Sequence, residues 1–271
     1  MKTAIEPLNI ETIQRGLKTR RTGQTIVLLE STSSTNDIAW SYAQKPDSDG
    51  LCVLAEHQTA GRGRRGRRWH SQPRQSILCS ILIQDFSRPS ALLTLAAPLA
   101  VTDAIFSCCG LHTVIKWPND ILLDGKKVTG ILIESRKSDR HTTSVIGIGI
   151  NVHQNKAFFE NLPLDAPAVS LAVKLRRRPS RNKLARTLLQ RLEHWLDVAA
   201  VNVEKLLNEW KKHNRQIGSR IELESDGRRY SGTCVGIDPT EGLIVHLDRG
   251  PVRIFSASHS SIIQNGSSLK K

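Results

Sequence analysis

Nine consecutive residues, Gly61-Arg62-Gly63-Arg64-Arg65-Gly66-Arg67-Arg68-Trp69, carry five arginines and three glycines. Guanidinium groups are planar, bidentate donors that match phosphate and carboxylate oxygens. Closely spaced glycines allow positive φ, so backbone N–H groups can converge on an anion. The chemistry of this stretch is therefore anion holding. A second group, Ser31 to Asn36, offers small hydroxyl and amide side chains. Lys116-Trp117-Pro118-Asn119-Asp120 sets a lysine and a carboxylate about a proline-fixed turn. Lys126 and Lys127 follow an Asp124-Gly125 pair. Gly147 and Gly149 sit within an apolar β pattern, where glycine marks close approach of a ligand or a backbone.

The composition bounds what these groups can serve. The chain has 271 residues, enough for one large and one small domain. A net charge of +14 points to a nucleic acid, a nucleotide or an acidic protein surface. Five cysteines without a C-x-x-C spacing suit free thiols in a reducing cytoplasm, not a structural zinc site. The N-terminus has acidic residues and a proline where an export signal would be apolar. The longest apolar run, 91–106, is interrupted by Pro98 and Asp103, so no membrane span is expected.

Periodicity places the groups on elements. Asn9 caps a short helix over 10–17, and 25–30 reads as a buried strand. The Ser31 to Asn36 cluster is suited to start a helix. Strands are expected at 51–55, 76–84, 114–117, 121–123, 126–134 and 144–152, with a hairpin at Asp124-Gly125. A helix beginning at Ser87-Arg88-Pro89 is expected to run to Gly110 with a kink at Pro98. Residues 155–168 read as loop, and helices are expected from Ser180 to 199 and over 203–213. Four short β patterns then fill 220–256, a small all-β unit of about 55 residues, near the lower size limit for folding alone.

The motifs Ser34-Thr35-Asn36, Gln58 to Trp69, Lys116 to Asp120 with Lys127-Val128-Thr129-Gly130, and Gly147 to Asn151 stand in that order. Together they resemble those of biotin protein ligases, over roughly residues 25–265. The resemblance implies an α+β fold: a mixed-sheet catalytic domain of the class II synthetase type over 1–216 and a small SH3-like β-barrel over 217–271. It also implies the activity. The biotin carboxylate attacks the α-phosphate of ATP, pyrophosphate leaves, and biotinyl-5′-AMP gives its acyl group to a carrier lysine.

Residue roles follow from the same resemblance. Arg62, Gly63 and Arg64 match positions that contact biotin and the adenylate, with Gly61 beside them. Arg64, Arg65 and Arg67 would face the phosphates, and Trp69 the adenine side. Lys127, beside Gly130, would hold the carboxylate and then the α-phosphate. Asn119 and Asp120 would lie near ATP, with Mg²⁺ on Asp120. Gly147 and Gly149 would let a ring pack on bare backbone, and Asn151 would reach the nucleotide. Ser34, Thr35, Asn36 and Gln58 suit the neutral ureido ring, which wants hydroxyl and amide partners. The residues alone leave open plain helix capping by Ser34 and Thr35, solubilising edge lysines at 126 and 127, and an Asx turn at Asn119-Asp120. His57, His70 and His153 have neither an adjacent nucleophile nor metal-like spacing, so they are not read as catalytic.

Relatives with a DNA-binding head need roughly 60 residues for it, and about 25 precede the first strand here. The expectation is a monofunctional ligase without specific DNA binding. Its partner would be the biotin carboxyl carrier protein of acetyl-CoA carboxylase, with homodimerisation left open. A lipoate or octanoate ligase of the same superfamily is the nearest alternative. An RNA-binding module is the other, but Trp69 alone offers stacking beside the arginines.

Overall fold

The computed structural model describes residues 5–263 apart from 46, 85, 139–141 and 165. The expected N-terminal tail at 1–4 and the end of the C-terminal unit at 264–271 lie outside the described residues.

Asn9 accepts a hydrogen bond from Thr12 N and opens α1 (Ile10–Gln14). Then come β1 (Ile26–Leu29), α2 (Thr35–Ser41), β2 (Cys52–Ala55) and β3 (Ser76–Ile83). All eight residues of β3 are buried, as a run with no polar face requires of a central strand. A 3₁₀ turn at Ser90–Leu92 leads into α3 (Leu93–Cys109). The helix therefore starts later than 87. Pro89 adopts an extended ψ of 131° and precedes the turn, where it bars its own predecessor from the helix. Pro98 lies inside α3, and Gly110 ends it at φ 68°. Ser90–Cys109 is long and apolar enough to cross a membrane by length and composition, but most of it is buried within this fold.

The chain continues through β4 (Val114–Lys116), β5 (Asp120–Leu123), β6 (Lys126–Lys137), β7 (Thr142–Asn151), α4 (Lys156–Glu160), α5 (Leu171–Leu175), α6 (Arg181–Val201) and α7 (Val203–His213). Helix α4 corrects the reading of 155–168 as loop. Asn155 caps it by accepting from Phe158 N. Helix α5 was not expected either. Ser170 caps it in the same way, and its five residues are too few for a visible period.

The sheet order is β1-β2-β3-β7-β6-β5-β4, with β1 and β2 parallel and every other pair antiparallel. Helices α3 and α6 pack together and on the sheet, closing the main core, while α2 lies on β2, β3 and β7.

The C-terminal unit comprises β8 (Arg220–Ser225), β9 (Arg228–Asp238), β10 (Gly242–Leu247), β11 (Val252–Phe255) and β12 (Ser260–Ile263), in the order β11-β10-β9-β8-β12. Strand β12 was not expected, because its serines hide the pattern. Among the described residues the two outer strands do not pair, so this is an open antiparallel sheet and not the closed barrel expected. Asn214 and Gln216 pin the linker: Gln216 Oε1 accepts from Trp117 N at 2.8 Å, and Asn214 Oδ1 accepts from Gln216 N and Ile217 N.

One buried ion pair holds the end of the sheet that carries the functional residues. Arg181 and Glu56 are 1% and 3% exposed and 2.5 Å apart. Arg181 also donates to Ser76 O and Glu6 O, and Glu56 accepts from Leu8 N. Removing one member of a buried pair strands the other charge. Arg181→Ala is expected to cost about 3–5 kcal/mol of stability, read as a lowered urea midpoint with unchanged slope.

Candidate active site

Strand β2 ends at Ala55, and the chain then crosses the sheet end to build one wall of a cleft of about 810 Å³. Gln58 Oε1 accepts from both Thr35 N and Thr35 Oγ1 at 2.8 Å. Ser80 Oγ lies 2.7 Å from Thr35 Oγ1 and 2.6 Å from Asn36 Oδ1. Asn36 donates to Glu134 at 2.7 Å. Ser34 is the N-cap residue of α2, yet its hydroxyl makes no capping bond. The result is a buried wall of neutral donors and acceptors.

The glycine–arginine loop is folded tightly. Gly63 N donates to Arg67 O at 2.7 Å and Trp69 N to Gly61 O at 2.9 Å. Arg65 and Gly66 turn the chain at φ 56° and 70°. The side chains then spread in different directions. Arg62 makes a two-pronged ion pair with Asp37, at 2.7 and 2.6 Å, which holds the Asp37 carboxyl below its usual range and raises Arg62. Arg64 reaches Asn119 Oδ1 at 3.3 Å and the carbonyls of Ala257 and Ser260. Burial, followed by the nearby charge of Arg65, pulls the Arg64 guanidinium down to about 10. Arg65 pairs with Glu224 at 2.9 Å and also meets Ser261 and the His259 carbonyl. Arg68 donates to Thr59 O at 2.9 Å. Two arginines thus fasten the loop to the C-terminal sheet.

Across the cleft, Lys127 Nζ lies 2.6 Å from Asp120 Oδ1, both side chains being mostly buried. Lys126 is exposed. Strict alternation would put Lys127 and Gly130 on opposite faces of β6. A register shift against β5, where Leu122 faces Lys127 but Ile121 faces Thr129, lets both line the cleft.

Trp69 lies on the strand backbones here. A Cβ on Gly149 would come within 2.5 Å of its ring, and one on Gly130 within 2.9 Å. A Cβ on Gly147 would meet Asn36 Oδ1 at 2.3 Å. The bare backbone at Gly147 and Gly149 therefore faces the side chains of Asn36 and Trp69. Gly149→Ala is expected to push Trp69 into the cleft and weaken binding there about tenfold or more, with the shift of Trp69 read by its fluorescence.

Of the residues singled out in the sequence, Ser34, Thr35, Asn36, Gln58, Arg62, Gly63, Arg64, Arg65, Arg67, Trp69, Asn119, Asp120, Lys127, Gly130, Gly147 and Asn151 all line this cleft. Gly61 does not. It sits behind the wall, where a Cβ would meet Gln58 and the Trp69 carbonyl. Asn151 is buried, with Gln154 Nε2 3.3 Å from its Oδ1. His153 Nε2 lies 2.8 Å from Pro179 O, and burial lowers its pKa.

Several lining residues had no role assigned from sequence. Lys116 faces Asp120 across the β4–β5 pairing. Burial lowers its pKa, opposed by Asp120 and reinforced by Lys127 and Arg67. Its position at the head of the Lys116 to Asp120 motif was the available signal. Phe158, Phe159 and Leu162 form the opposite lip, and the paired phenylalanines were the only hint. From the C-terminal sheet, Glu224 and Arg229 reach the cleft, whereas Arg253 stacks on Tyr230 and Phe255.

Residues 28–151 match the model of the biotin/lipoate A/B protein ligase family. The chain is 34% identical over 249 residues to the bifunctional ligase/repressor BirA of Bacillus subtilis, covering 90% of this chain and 76% of the relative. It is 35% identical over 207 residues to the biotin–[acetyl-CoA-carboxylase] ligase of Mycobacterium tuberculosis, covering 74% of each. Its fold matches the biotin protein ligase of Aquifex aeolicus in complex with biotin and ATP, with a TM-score of 0.74, 23% identity, and coverage of 89% of this chain and 100% of that one. With its motifs gathered in one cleft on this fold, the chain belongs to the biotin protein ligase family.

Proposed function

We propose that this cleft condenses biotin with ATP and then passes the biotinyl group to a lysine of a carrier domain, the activity of a biotin–[acetyl-CoA-carboxylase] ligase. The observation that carries this is one cleft that joins a wall of neutral donors to a cationic end. Ser34, Thr35 and Gln58 form the first, and Lys127 and Arg64 form the second.

The neutral wall suits the ureido ring, and the cationic end suits the carboxylate. The carboxylate oxygen bonds to the α-phosphorus, the bond to the β-phosphate oxygen breaks, and pyrophosphate leaves. No base is needed, because the carboxylate is already a nucleophile. What the step needs is positive charge where two anions meet, and Lys127 and Arg64 supply it. In the second step the carrier amine attacks the acyl carbon and AMP leaves. Arg67, Asn119 and Asn151 are proposed for the nucleotide, with Trp69 beside it.

Asp120 Oδ1 is buried and ion-paired with Lys127 Nζ at 2.6 Å, and a carboxylate oxygen keeps lone pairs for a further ligand. Such an oxygen fits a Mg²⁺ ion held mainly by ATP oxygens and water, which commonly uses one or two carboxylates. The ion would shield the phosphate charge. A catalytic unit over 1–216 and a C-terminal unit over 217–271 belong to the same proposal.

The test is exchange of labelled pyrophosphate into ATP by the purified chain. Exchange that depends on biotin is expected. Exchange without biotin, or driven equally by lipoate, would reject the proposal.

A further inference from the structure

The glycine–arginine loop is not the only cluster of positive charge in the sequence. Residues 166–192 hold eight lysines and arginines and no aspartate or glutamate. Arg181 is spent on Glu56 inside the fold, but Arg176, Arg177 and Arg178 stand exposed on one turn after α5, next to exposed Val173 and Lys174. Arg176 turns the chain in the left-handed region at φ 54°, which brings three consecutive arginines to the surface.

This segment is tied to the reacting end of the cleft. Lys127 N donates to Pro167 O at 2.8 Å, and Val169 N donates to Lys127 O at 2.9 Å. Lys174 pairs with Asp124 of the hairpin that carries Lys127. The turn follows within ten residues of Ala166 and Ala168, which line the cleft that also holds Lys127 and Asp120. Between 166 and 192 there is no aromatic residue, so the stacking that single-stranded nucleic acid uses is absent.

Resting on the ligase reading above, we infer that Arg176 and Arg177, with the turn they occupy, form an electrostatic docking surface for an acidic face of the acceptor carrier domain. Charges at the rim of an interface steer encounter and set its salt dependence more than they alter chemistry within the site. The turn would therefore act on the second half-reaction and leave adenylate formation alone.

The test compares full-length Arg176→Glu/Arg177→Glu with a control of equal net charge, Lys205→Glu/Lys211→Glu, on exposed positions of α7. The acceptor is a biotin carboxyl carrier domain. The docking pair is expected to raise KM for the carrier about tenfold and to flatten the fall of kcat/KM with salt. Biotin-dependent pyrophosphate exchange is expected to stay within about twofold of wild type, and the control to change neither. A carrier KM that stays put, or rises equally in the control, would overturn the docking surface. So would loss of duplex DNA or RNA binding in the docking pair with carrier KM unchanged. Absence of biotin-dependent exchange in the wild type would reject the ligase reading itself, which the carrier KM of the variants does not report.

Discussion

Lys127→Ala lowers the rate of biotinyl-adenylate formation by about 10²- to 10³-fold, while Lys126→Ala stays within about twofold of wild type. Single-turnover formation of the adenylate is the measurement, with circular dichroism to show that both variants fold. The difference follows from where the strand points the two side chains. Lys126 is exposed. Lys127 is drawn into the cleft beside Gly130 and pairs with Asp120. Its ammonium is already half-buried and positioned before substrate arrives, so its attraction for developing phosphate charge is worth more than it would be in water. Losing it also leaves the Asp120 carboxylate facing two anionic substrates without its counter-charge. Equal effects from the two substitutions would mean that the strand presents its other face.

Arg64→Gly separates activation from retention. The side chain ties the loop to Asn119 on one side and to the carbonyls of Ala257 and Ser260 on the other. Hydrogen bonds from a charged donor contribute about 1.5–3 kcal/mol each, so losing them loosens the loop tip, which Arg65 still holds to the C-terminal sheet. The adenylate still forms, because Lys127 is untouched, but it escapes about 10- to 100-fold faster. The check is labelling of bystander proteins in a mixture with biotin and ATP. Labelling at the wild-type level would remove the clamp role from Arg64.

The parts of this architecture carried by hydrophobic runs were legible in the sequence. β3 and β7 are long, apolar and central, and each was placed within a residue or two of its observed ends. The Asp124-Gly125 turn was equally plain, with both residues at positive φ. What escaped was either too short to show a period or dependent on contacts distant in sequence. α4 and α5 are five residues each and are set by their caps. β12 exists because β8 offers it an edge. The register shift that brings Lys127 and Gly130 to one face cannot be read from alternation, which argues against it. The arginines taught a similar lesson. Their type and spacing announced an anion site, but Arg62 and Arg65 are engaged by Asp37 and Glu224, from elements 25 and 159 residues away.

The loop's anchors also make it a strain gauge between the two sheets. Its tip is fastened to the C-terminal sheet through Arg64 and Arg65, and its stem to α2 through Arg62. A protease that needs an extended segment can cut within 61–69 only when both moorings let go together. The cleavage rate would then report the joint opening of the two halves, and a bound adenylate would slow it in proportion to its occupancy.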